Sequence, residues 1–147
     1  MPFHRMPRDE WLPFVMAGTR TGHLAVTRED GSPHVAPVWF VLDTSSGEDR
    51  IVFNTGATTV KGRALRREPR FAMSVDIPEP PFSFVMFYGT ASIVDDPVES
   101  LPWSVRIAAR YMGEEKGEEF GRRNAVPGEL LILGTITKVV ANADISD

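Results

Sequence analysis

Alternation of apolar and polar residues dominates the chain and predicts strands before anything else. His23-Leu24-Ala25-Val26-Thr27-Arg28 has the period of a half-buried strand, Asp30-Gly31 is a two-residue turn signal, and Pro33 to Leu42 reads as the returning strand. Residues 23–42 are therefore expected as a β-hairpin. Arg50 to Asn54 forms a third strand that runs into a hydroxyl-rich loop, Thr55-Gly56-Ala57-Thr58-Thr59. A helix follows, with Thr58 or Thr59 as N-cap, and it must stop near Glu68 because Pro69 disfavours helical geometry in the residue before it. Phe71, Met73 and Val75 mark a fourth strand, Pro78, Pro80 and Pro81 a turn, and Phe82 to Val94 a long fifth strand. Leu130 to Ala141 is the sixth. Short helical segments are expected at Asp9–Ala17, capped by Asp9 and closed by Gly18, and at Pro97–Met112, with a charged surface segment, helical or irregular, at Glu114–Arg123.

Six strands joined by hairpin turns, with no βαβ rhythm, predict a mainly β protein: a six-stranded antiparallel β-barrel with small inserted helices. Pro37 sits inside the second strand and cannot donate to a ladder, so that strand is expected at an edge or at a bulge. An edge there either blocks aggregation or leaves backbone groups free for a ligand. Trp39 and Phe40 follow, as core residues or as the wall of a flat pocket.

With 147 residues, 42% hydrophobic and 24% charged, one globular domain over residues 1–147 is expected. Charge changes the picture locally. The chain is −4 overall, yet Lys61, Arg63, Arg66, Arg67 and Arg70 against Glu68 give residues 61–70 a charge of +4, leaving −8 for the rest. So short an island suits an anion such as phosphate, or is simply the solvated face of a helix. It does not suit nucleic acid, which needs a broad cationic surface.

The absence of cysteine removes thiol nucleophiles, disulfides and thiolate metal sites, so redox chemistry requires a borrowed cofactor. His4, His23 and His34 lie in separate segments without ligand spacing, and no metal site is expected. There is no Gly-x-Ser-x-Gly elbow, Gly-x-Gly-x-x-Gly fingerprint or Walker loop. Asp95-Asp96 before Pro97 is read as a helix cap. With no apolar segment of membrane-spanning length and no apolar leader, a cytoplasmic protein without membrane contact is expected. Thirteen Arg against three Lys is a composition similar to that of actinobacterial proteins.

Taken together, Asp30-Gly31-Ser32-Pro33-His34, Trp39-Phe40, Ile51-Val52-Phe53-Asn54-Thr55, the run Lys61-Gly62-Arg63-Ala64-Leu65-Arg66-Arg67-Glu68-Pro69-Arg70 and Tyr88-Gly89-Thr90-Ala91 resemble the pyridoxamine phosphate oxidase-like split β-barrel flavoproteins. The Lys-x-Arg-x-Leu-Arg-Arg-x-Pro-Arg run is especially similar to the branch that uses the deazaflavin coenzyme F420. The resemblance implies the FMN-binding split-barrel fold and a homodimer with its cofactor at the subunit interface. It places the cofactor ring along Pro37, Val38 and Trp39, and the phosphate at Asn54, Thr55, Thr58, Thr59, Lys61 and Arg63. Ala36 stands where the flavin mononucleotide oxidases carry an arginine. The implied activity is hydride transfer from reduced F420 to an unsaturated small-molecule acceptor. An FMN-dependent oxidoreductase and a non-catalytic carrier of a cofactor or haem-type ligand are the alternatives. No catalytic side chain is assigned.

Overall fold

The computed structural model describes residues 3–146, and strands dominate it as the alternation predicts. The elements in order are β1 (His4–Arg5), α1 (Arg8–Met16), β2 (Gly22–Thr27), β3 (Pro33–Val38), β4 (Val41–Asp43), β5 (Arg50–Gly56), α2 (Val60–Arg67), β6 (Arg70–Asp76), β7 (Phe84–Val94), α3 (Pro97–Met112), α4 (Glu114–Asn124) and β8 (Glu129–Ala143). All strand pairings are antiparallel, in the order β3-β2-β6-β7-β8-β5-β4, with β1 added against β8.

The two ends of that order are neighbours in the chain. Only Trp39 and Phe40 separate β3 at one edge from β4 at the other, so the sheet must curl until its edges approach. This is a split barrel. The single strand expected over Pro33–Leu42 is thereby broken in two, and with β1 the expected six strands become eight. Pro37 stands on β3, which pairs with β2 alone. It occupies an edge, where a missing N–H costs no ladder bond.

Two patterns of side chains explain the layers. β2 and β6 alternate buried with exposed or half-buried residues, placing Leu24, Val26, Phe71, Met73 and Val75 in the barrel core. β5 and β8 instead carry unbroken apolar runs. Ile51, Phe53, Leu130 and Ile132 face the barrel, while Val52 and Leu131 pack in a second cluster with Ile107 of α3. A strand covered on both faces gains from apolar residues at every position.

The helices depart from expectation in detail. The N-cap of α1 is Pro7 rather than Asp9, which lies in the first turn and complements the helix dipole there. The Asp96 side chain caps α3 by accepting from the Val98 N–H at 3.0 Å. The charged surface segment is helical, α4, and it is pressed on α3 through Gly117 and Gly121. A Cβ added at Gly121 would lie 2.6 Å from the Cα of Val105, and one at Gly117 would lie 2.9 Å from the Cβ of Ala109. Close backbone approach replaces the apolar stripe that periodicity looks for.

Candidate functional site

The hydroxyl-rich loop after β5 is organised by one threonine. Thr59 is the N-cap of α2: its Oγ1 accepts from the Gly62 N–H at 3.1 Å and donates to the Gly56 carbonyl at 2.8 Å. Its proton being committed, the 3.0 Å contact with Thr55 is a donation from the Thr55 hydroxyl. Gly62 is required by the same turn, because a Cβ there would sit 2.2 Å from the Gly56 carbonyl oxygen. Both threonine hydroxyls are thus spent on building the loop. Arg63 donates its backbone N–H to the Thr59 carbonyl, whereas the N–H groups of Val60 and Lys61 have no backbone acceptor among the described residues. A helix start with free donors attracts an anion.

Beside this loop lies a cleft of about 350 Å³. Its walls come from β3 and the crossing (Pro37, Val38, Trp39), from the end of β5 (Asn54, Thr55, Gly56) and from the start of α2 (Thr59, Lys61). Ile107 of α3, Asn124 of α4 and Glu129 of β8 complete it. Seven residues singled out in the sequence therefore meet on one cleft: Pro37, Val38, Trp39, Asn54, Thr55, Thr59 and Lys61. Trp39 is 45% exposed, a large flat face at the mouth. Lys61 and Glu129 give the wall one charge of each sign. Such a surface can seat a planar ring against Trp39, hold an anionic group at Lys61 and accept a hydrogen bond at Glu129.

Two expected site residues lie elsewhere. Thr58 is exposed and does not line the cleft, and Arg63 faces a separate depression of about 390 Å³ with Arg28, Glu29, Asp30, Val60, Ala64 and Arg67. Successive helical residues are turned by about 100°. Residues 60, 63, 64 and 67 hence share one face of α2, and Lys61 stands on another. The rest of the cationic island disperses too: Arg66 pairs with Asp95 at 3.2 Å, Arg67 donates to the Thr27 carbonyl at 2.8 Å, and Arg70 pairs with Glu68. Of the five cations only Lys61 reaches the cleft. Gly56 belongs to the hydroxyl-rich loop itself, whereas Ile107, Asn124 and Glu129 had no sequence signal. They come from segments remote from the loop, and only the pairing of Gly56 with Glu129 across β5 and β8 brings the acid alongside.

Behind the cleft, the C-terminal turn of α3 holds the crossing in place. The Arg110 guanidinium donates to the carbonyls of Phe40 (2.6 Å), Val15 (2.7 Å) and Gly18 (3.0 Å). Burial pushes this guanidinium below its ordinary pKa, and the same burial raises that of Tyr111, against the Phe40 hydrogen bond and the Arg110 charge. Among the described residues no helix is long and apolar enough to cross a membrane.

No curated protein sequence matches the chain. Among solved structures, one similar fold is a conserved hypothetical protein from Mycobacterium tuberculosis, at 24% identity and a TM-score of 0.80, covering 96% of this chain and 87% of that one. An F420 reductase is 27% identical with a TM-score of 0.68, covering 91% of this chain and 98% of its own. A FAD-binding protein from Mesorhizobium loti shares the fold at 17% identity and a TM-score of 0.65, covering 97% and 98% respectively. Residues 9–140 match the pyridoxamine 5'-phosphate oxidase family, which is most of the chain. With its split barrel and its cleft on the barrel's open edge, the chain belongs to the pyridoxamine 5'-phosphate oxidase family.

Proposed function

We propose that the protein is a homodimeric oxidoreductase that uses reduced F420 to reduce an unsaturated organic acceptor. The observation that carries this reading is the cleft itself, where a flat aromatic wall at Trp39 meets Lys61, whose backbone N–H at the start of α2 has no backbone acceptor among the described residues. The bound coenzyme supplies the hydride. The chain's residues do the rest: Trp39 offers a plane for the ring, Lys61 and the α2 amides take the phosphate, and Asn54 and Glu129 offer polar contacts along one side. No side chain of the cleft is needed as a nucleophile.

Two features favour the deazaflavin over FMN. Ala36 provides no guanidinium for a terminal phosphate, and beyond the α2 start Arg28, Arg63 and Arg67 outnumber Glu29 and Asp30 around a second depression, leaving one net positive charge toward a carboxylate-rich tail. The 27% identical F420 reductase points the same way. A second subunit is favoured by the outer face of β2, β3, β6 and β7. Val35 there is 66% exposed, and Ala25, Met86 and Tyr88 border the same depression. A cleft open on one side cannot bury a tricyclic cofactor alone, and a copy of the chain over this face would close it.

The test is titration of the apo-protein with F420 and with FMN, followed by cofactor fluorescence, alongside light scattering. F420 is expected to bind at the lower concentration, to a dimer. Tighter FMN binding reverses the choice of cofactor, and a cofactor-loaded monomer removes the second subunit.

A further inference from the structure

Three residues spaced i, i+3 and i+7 along α3, Ser104, Ile107 and Tyr111, share one helical face. Each meets the cleft differently. Ser104, 1% exposed, accepts a hydrogen bond from the Asn54 Nδ2 at 3.1 Å. Ile107 lines the cleft directly. The Tyr111 ring is parallel to the Trp39 indole with centroids 4.9 Å apart. Its hydroxyl is held at both ends, accepting from the Phe40 N–H at 3.2 Å and donating to the Arg20 carbonyl at 2.7 Å.

We propose that Tyr111 is a positioning residue for the cleft: it sets the plane of the Trp39 indole, and through that plane the seating of a flat ligand ring. Trp39 lies in the two-residue crossing between β3 and β4, where no ladder bond orients it. A half-exposed indole on such a link has several rotamers open to it. Stacking selects one of them, and the doubly held hydroxyl prevents the tyrosine from turning with its neighbour. The ring on which Trp39 rests is thus referenced to the backbone of Arg20 and Phe40. Tyr111 itself does not line the cleft, and its hydroxyl is already occupied.

The identity of the ligand rests on the function proposed above, but the indole plane does not. The experiment compares wild type, Tyr111→Phe, Tyr111→Leu and Trp39→Phe by near-ultraviolet circular dichroism, thermal melting and F420 and FMN titration. Tyr111→Phe keeps the stacking ring but loses both hydrogen bonds that fix it, so its Tm is expected to fall and its dichroic band and affinity to lie between those of wild type and Tyr111→Leu. Tyr111→Leu removes the stack. It is expected to lose the same dichroic band as Trp39→Phe and to weaken ring binding about three- to tenfold, the worth of an aromatic pair. The proposal is overturned if Tyr111→Leu retains that band, or if Tyr111→Phe, at equal loss of Tm, binds as weakly as Tyr111→Leu. Should wild type bind neither cofactor, the proposed function fails, and the dichroic comparison still decides the role of Tyr111.

Discussion

Replacing Lys61 by alanine separates the anion site from the helix that carries it. Lys61 is half-buried on the cleft wall and its ammonium forms no ion pair with a described residue, so nothing in the protein is left unpaired when it goes. The Thr59 cap and the free amides of Val60 and Lys61 survive the change. The loss is therefore one charge-assisted hydrogen bond to a phosphate, roughly 1.5–3 kcal/mol, or about 10- to 100-fold in Kd. Isothermal titration with F420 is the assay. Arg63→Ala is the comparison, because Arg63 faces the other side of α2. It is expected to cost less than tenfold, and neither variant is expected to move the melting temperature of the apo-protein by more than about 2 °C. If Lys61→Ala binds like wild type while Arg63→Ala does not, the phosphate sits on the Arg28, Arg63 and Arg67 side, and the cleft reasoning fails.

Two further outcomes concern stability. Arg110→Met leaves the carbonyls of Val15, Gly18 and Phe40 without their donor; with the guanidinium's own desolvation as an offset, about 3 kcal/mol is expected, a fall in Tm of roughly 10 °C by calorimetry, and a loss under about 1 kcal/mol contradicts the clasp. Asp43 is 2% exposed; burial pushes its carboxyl up, but hydrogen bonds from Ser45 and Arg50 prevail and hold it at about 2, below the usual 3.8. Its stabilisation is complete above the unfolded value near 3.8 and is lost as pH falls through about 2, so in urea melts the gap between wild type and Asp43→Asn is expected to shrink by roughly 2 kcal/mol from pH 5 to pH 2.

What could be seen in the chain beforehand was whatever local physics decides. Asp30-Gly31 made the β2–β3 turn because Gly31 takes φ 85° and the Asp30 carboxylate accepts from the Ser32 N–H. Thr59 capped α2 because a hydroxyl before a helix has a donor waiting. The break at Trp39 was hidden, since Val35 to Val41 is strand-like throughout and only the closing of the barrel interrupts it. The separation of Lys61 from Arg63 was within reach, as helical rotation alone turns them apart. Ile107, Asn124 and Glu129 were not, because their presence in the cleft depends on how α3, α4 and β8 return to the loop. The pairing of cleft residues with a cationic island rested on the family resemblance more than on any spacing.

The excursion of α3 and α4 ties the wall of the cleft to the packing of the barrel. β7 and β8 pair from Val94 and Leu131 onward, so residues 95–128 leave the sheet and return to it at adjoining positions. Those residues set the indole plane, tether Asn54 and supply Ile107 and Asn124 to the cleft. The cleft is in this way shared: the barrel and α2 supply Trp39, Asn54 and Lys61, and the excursion supplies Ile107 and Asn124. A change at Ile107 therefore reaches the cleft wall and the apolar cover of Val52 and Leu131 at once.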